Sequence, residues 1–234
     1  LILGDTTEIT LSIDGECPLL DNPADIVLLV DTSGSMSGTK MGAARTAVLE
    51  FVGQLDYGIH QVGLISFSTE VNLVQPLTGN PRALIRAIPE LGDDAGTNMA
   101  QAMQMAGEEF DGPRARRGAR QVIVLLSDGR PTDSAGGVLG LADQFRAMGR
   151  DVYSIGLGLD VDGGFMRLVA TAPNFYFEAP TEYGLVGIYD RISRRVGASS
   201  LLQSAVVTDV VPANMAYIGG SAVPPARWDS ATRT

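Results

Sequence analysis

The sequence predicts an α/β domain on a doubly wound, mostly parallel six-stranded sheet with helices on both faces, inserted in or flanked by part of a β-sandwich. Three observations carry this expectation. From Asp25 to about Ala198, short runs nearly continuous in Val, Ile and Leu alternate with stretches of helical period, as in strands covered on both faces. The link Ser68-Thr69-Glu70 is too short for a parallel crossover, so one strand must be antiparallel. Before and after this stretch, apolar and polar residues alternate instead.

The elements follow in order. Residues 1–23 contain Glu8 to Ile13, where Ile9, Leu11 and Ile13 alternate with polar residues, and are expected to supply a sandwich strand. The main domain, 24–198, opens on strand Asp25 to Val30 and a helix whose Met41, Ala44, Val48, Phe51, Val52 and Leu55 form one stripe. Strand Gln61 to Phe67 precedes the antiparallel edge strand Val71 to Val74, and helical patterns cover Pro81 to Leu91 and Asn98 to Phe110. Strand Gln121 to Leu126, helix Gly137 to Met148, strand Asp151 to Ile155, helix Gly164 to Thr171 and strand Asn174 to Phe177 complete the alternation. The last helix, Glu182 to Val196, presents Leu185, Ile188, Ile192 and Val196 on one face. Residues 199–234 return to short strands, Leu201 to Val211 and Ala216 to Ile218, broken by Pro212, Gly219 and Gly220. These flanks hold too few strands to close a sandwich, which implies either further chain or strand exchange with a neighbouring chain.

Composition narrows the function. With 234 residues, 45% of them hydrophobic, the chain can bury a full core. A net charge of -10 argues against nucleic acid, which needs clustered cations. The one arginine cluster, Arg114, Arg116, Arg117 and Arg120, is expected to be a solvated turn. No apolar run approaches the roughly 18 residues of a membrane span. A start on Leu1 rather than Met suggests a piece of a longer polypeptide. Cys17 is the sole cysteine and Lys40 the sole lysine, the latter beside the loop that follows the first strand. The sole histidine, His60, begins a strand at the end away from any ligand crevice, which argues against a Ser-His-Asp triad.

The chemistry lies where strands run out. Asp31-Thr32-Ser33-Gly34-Ser35 follows Ile26 to Val30, placing a carboxylate and two hydroxyls at i, i+2 and i+4. An all-oxygen cluster of this kind suits a hard divalent cation such as Mg²⁺. In an open doubly wound sheet, ligands bind beyond the carboxyl ends of the strands where strand order reverses. If Asp25 to Val30 and Gln121 to Leu126 are the central neighbours, Asp128 of Ser127-Asp128-Gly129 emerges at the same crevice as Asp31. Thr97, in Gly96-Thr97-Asn98 at the start of a helix, can aim its hydroxyl there too. Asp93, Asp94, Asp133, Asp160 and Asp162 read as loop or cap residues, not ligands.

Asp31-x-Ser33-x-Ser35, Thr97 and Asp128 together resemble the metal-ion-dependent adhesion site of von Willebrand factor A domains, and the likeness covers about Ala24 to Ala198. The resemblance implies a Rossmann-like sheet and a bound Mg²⁺, Ca²⁺ or Mn²⁺ whose last coordination position is filled by an Asp or Glu carboxylate of a protein partner. Two carboxylates just balance a dication. If they act mostly through water, as the family pattern implies, the ion stays electrophilic enough to draw that external carboxylate. Val207 to Ala222 also resembles the repeated β-sandwich modules of prokaryotic surface proteins. The resulting expectation is a metal-dependent adhesion module of a prokaryotic cell-surface or extracellular assembly, not an enzyme. Two alternatives stand beside it: a cytoplasmic partner-recruiting subunit of an ATPase or chelatase complex, and a Mg²⁺-dependent phosphoryl-transfer enzyme with Asp31 as nucleophile. Ser33, where the latter chemistry would want a second aspartate, counts against the enzyme.

Overall fold

The computed structural model describes residues 23–92, 95–159 and 161–197. The strands expected within 1–23 and 199–234, together with Cys17, Asp93, Asp94 and Asp160, lie outside the described residues.

The six strands are β1 (Ala24–Asp31), β2 (His60–Phe67), β3 (Val71–Thr78), β4 (Arg120–Ser127), β5 (Asp151–Leu157) and β6 (Tyr176–Ala179). The helices are α1 (Thr39–Gln54), α2 (Pro81–Ala87), α3 (Met99–Asp111), α4 (Ala135–Ala147), α5 (Gly163–Val169) and α6 (Leu185–Gly197). They build a six-stranded sheet of order β3-β2-β1-β4-β5-β6, in which only β3 runs antiparallel. This is the expected doubly wound, Rossmann-like α/β fold. Strand order reverses between β1 and β4, which are paired through Val30 and Leu126, so the residues that follow them emerge side by side.

Alternation along β1 divides the core. Ile26, Leu28 and Val30 pack with α1, α6 and Leu84 of α2, among them Phe51, Tyr189 and Ile192. Val27 and Leu29 face the other layer, where Met103 and Phe110 of α3, Phe145 of α4 and Met166 of α5 meet them. Every apolar side chain of β1 is fully buried, so the strand cannot slip without moving a charge into one of these layers. Its carboxyl end is therefore a rigid platform.

Among the differences from the sequence reading, three bear on the sheet and its ends. β3 continues to Thr78, four residues beyond Val74, because Pro76 sits on the sheet edge where a missing N–H costs no ladder bond, and the pairing with β2 shifts register nearby. β6 starts at Tyr176 because Pro173–Phe175 forms a 3-10 turn first. The arginine cluster does lie in the turn between α3 and β4, with Arg114 and Arg117 exposed, but it is not merely solvated. Arg116 donates to Asp25 through its amide (2.7 Å) and Nε (2.8 Å), and to the carbonyls of Ala24 (2.8 Å) and Ile59 (2.9 Å). Asp25 is fully buried at the amino end of the sheet, so this arginine neutralises a charge the core could not otherwise hold. Arg120 pairs with Asp151 at 2.6 Å, and the exposed Arg114 pairs with the buried Glu109.

His60 also lies at that amino end, buried, its Nδ1 accepting the Ala24 amide at 3.2 Å. Burial, helped by the Arg116 charge, lowers its pKa and keeps the ring neutral. It is structural.

Candidate metal site

Asp31 is the last residue of β1 and fully buried. One of its oxygens, Oδ1, accepts the Ser33 amide at 2.8 Å, and the other accepts the Ser127 hydroxyl from the end of β4. Burial pushes the Asp31 carboxyl above its ordinary value, against the Ser127 and Ser33 hydrogen bonds, with Asp128 adding to the rise. A nearby dication would remove that penalty by stabilising the charged form.

A 3-10 turn, Gly34–Met36, then lifts the chain over the crevice, and buried Met36 anchors it. The turn brings the Ser33 and Ser35 hydroxyls within 3.1 Å of each other, and Ser35 donates to Asp128 Oδ1 at 2.7 Å. The Asp128 side chain is 1% exposed, and its Oδ2 pairs with the ammonium of Lys40 from the first turn of α1. Asp31, Ser33, Ser35 and Asp128 are thus linked into one hydrogen-bonded series spanning the β1 and β4 ends.

Thr97 sits in the adjoining loop and is buried. Its amide donates to the Thr132 hydroxyl at 2.8 Å and its carbonyl accepts the Thr132 amide at 3.0 Å, which ties it to the loop following Asp128. On the other side, the Thr69 amide donates to Ala95 (2.6 Å) and the Asn98 amide to Ser68 (2.8 Å), pinning the segment to the β2–β3 turn. Gly96 makes this close approach workable: its φ is +80°, and a Cβ there would lie 2.5 Å from the Thr69 hydroxyl. The Thr97 hydroxyl forms no hydrogen bond with the other four side chains among the described residues.

Two other acids in the described residues serve helix starts. Asp133 accepts the Ala100 amide at 2.8 Å at the start of α3, and Asp162 caps α5 by accepting the Phe165 amide at 3.0 Å. Among the described residues, no group of three or more His, Cys, Asp and Glu could hold a metal. The expected donors are of a different kind: two carboxylates and two hydroxyls joined by hydrogen bonds, the Thr97 hydroxyl of the adjoining loop, and a lysine ammonium paired with Asp128 Oδ2. Such a set fits a hard dication that keeps several waters, and does not fit a soft metal. Sequence reasoning missed the supporting residues Ser127, Thr132 and Lys40. Ser127 was the most accessible of these, standing next to Asp128 at the end of a buried strand.

The sequence model of the von Willebrand factor type A domain matches residues 25–191. Mouse matrilin-4 is 31% identical over 163 residues, which are 65% of this chain and 26% of matrilin-4. The chain therefore spans about a quarter of that relative. Among solved structures, the vWF domain of the type V pili tip protein Mfa5 from Porphyromonas gingivalis superposes with a TM-score of 0.66 at 15% identity, covering 80% of this chain and 98% of that one. Manganese-loaded TRAP protein of Plasmodium vivax has a TM-score of 0.60 at 22% identity, covering 72% of each chain.

Proposed function

The chain belongs to the von Willebrand factor type A domain family, and from that premise we propose that it is a metal-dependent protein-binding, adhesive module of a prokaryotic cell-surface or extracellular assembly. In this reading Asp31, Ser33, Ser35, Thr97 and Asp128 hold one divalent cation, Mg²⁺ in the first instance and Ca²⁺ or Mn²⁺ as alternatives. When bound, the ion supplies an electrophilic position for an Asp or Glu carboxylate of the partner protein.

The observation that supports the reading best is the hydrogen-bonded series Ser33, Ser35, Asp128, anchored beside Asp31 at the point where strand order reverses. The chain's own residues divide the work. Ser127 and the Ser33 amide fix both oxygens of Asp31, so that its charge acts at a set distance. Ser35 orients Asp128, and Thr132 holds the Thr97 segment against the same crevice. Asp31 with both oxygens engaged as acceptors is poorly placed as a nucleophile, which favours binding over phosphoryl transfer. The extracellular setting draws on matrilin-4 and on the pilus tip protein, each from its own context.

The test uses surface-bound peptides carrying a single Asp or Glu, presented to the chain in Mg²⁺ or Mn²⁺ and again in EDTA. Retention that needs the metal, and is lost when the acid is replaced by Asn or Gln, is expected. Retention indifferent to both metal and acid would overturn the reading.

A further inference from the structure

We infer that Lys40 is the resident counter-ion of Asp128, which an entering dication must evict, so that Lys40 sets the metal concentration at which the site fills. The inference rests on the metal reading above.

The ammonium of Lys40 pairs with Asp128 Oδ2 while Ser35 occupies Oδ1. The two partners are unequally free: the Asp128 side chain is 1% exposed and that of Lys40 33%. The carboxylate cannot leave, whereas the lysine has an open route to solvent. Among the described residues, no second acid pairs with it. Lys40 lies in the first turn of α1, where the helix dipole disfavours a cation, and that turn contains no acidic residue. Among the described residues, Asp128 is the acid that holds the ammonium against this field. Beside it stands Gly158, at φ +100°, where an added Cβ would lie 3.6 Å from the lysine Nζ, so the loop after β5 meets one side of the ammonium with bare backbone.

The residue type agrees with a displaceable role. Lys40 is the only lysine, and the other sixteen cations are arginine. An arginine would grip Asp128 through a planar two-bond fork, while an ammonium is a compact, strongly hydrated charge on a flexible stem. A dication and an ammonium held on one desolvated carboxylate repel each other. Occupancy is therefore exclusive. Without metal, Lys40 neutralises a buried acid beside Asp31; with metal, it swings to the rim and adds a positive charge where a partner's carboxylate arrives.

The uniqueness of Lys40 gives the test. Isotope-labelled reductive dimethylation tags only this lysine and the amino terminus, keeps the charge, and is read by NMR during Mg²⁺ or Mn²⁺ titration of the full chain. The Lys40 methyl signal is expected to move to the position of a solvated lysine with the same midpoint as calorimetric metal uptake. Lys40→Met is expected to bind metal about tenfold tighter or more, and Lys40→Arg more weakly than the native chain. Metal uptake with an unmoved Lys40 signal, or Lys40→Met affinity no better than native, overturns the inference and leaves the metal reading intact. No uptake by the native chain or either variant overturns both.

Discussion

Ser35 donates its hydroxyl to Asp128 Oδ1 at 2.7 Å, bridging two loops whose residues stand 93 positions apart in the chain. One bond thereby joins the β1 and β4 ends and aims a carboxylate oxygen. Replacing Ser35 by Ala removes both a proposed ligand and this orientation, so metal affinity is expected to fall at least about tenfold. Calorimetry checks this, and an unchanged affinity would mean that Ser35 only closes the turn.

Asp31 sits in a place that resists charge. Its folded pKa is raised above the ordinary 3.8, so the folded state binds the proton more tightly than the unfolded chain. The sign follows: Asp31's favourable contribution is complete below about pH 3.8 and is lost as pH rises through the higher folded value. Asp31→Asn is therefore expected to raise the melting temperature of the metal-free protein at pH 7, with an advantage that shrinks toward pH 4, and to abolish metal uptake. A variant less stable than the native chain at pH 7 would contradict it.

Gly96 fixes the Thr97 segment through a backbone conformation few side chains adopt. Gly96→Ala brings a methyl group against Thr69 and imposes a left-handed penalty of about 1–2 kcal/mol before the clash is counted. Denaturant unfolding should register a loss of about 2 kcal/mol or more, with weaker metal binding. Unchanged stability with unchanged uptake would show that the loop relaxes freely.

Tyr189 packs its ring against Phe51 at 5.5 Å, but its buried hydroxyl has no hydrogen-bond partner among the described residues, and burial pushes its pKa up. Tyr189→Phe keeps the ring contact and removes an unsatisfied polar atom, so stability is expected to rise by about 1 kcal/mol. Thermal unfolding checks it; a clear loss would reveal a partner for the hydroxyl.

Asp31, Ser33, Ser35 and Asp128 were legible in the sequence because they end or follow strands whose apolar runs are unmistakable, and strand ends define the crevice. The roles of Lys40 and Thr132 were not, since their partners are chosen by loop conformation and not by spacing. The same holds for Arg116, whose partner Asp25 lies 91 positions away and whose role at the sheet's amino end no local charge pattern could announce. Pro76 hid the second half of β3, as proline reads as a strand breaker unless the strand is known to be an edge. Periodicity, by contrast, carried α1 and α6 well, because both keep one face against the sheet.

The central claim is tested most directly by titrating the chain with Mg²⁺ or Mn²⁺ in a calorimeter beside Asp128→Ala. Saturable uptake of one dication per chain, lost in the variant while its fold persists, is the predicted result. Absence of uptake by the native chain, or equal uptake by the variant, would contradict the account.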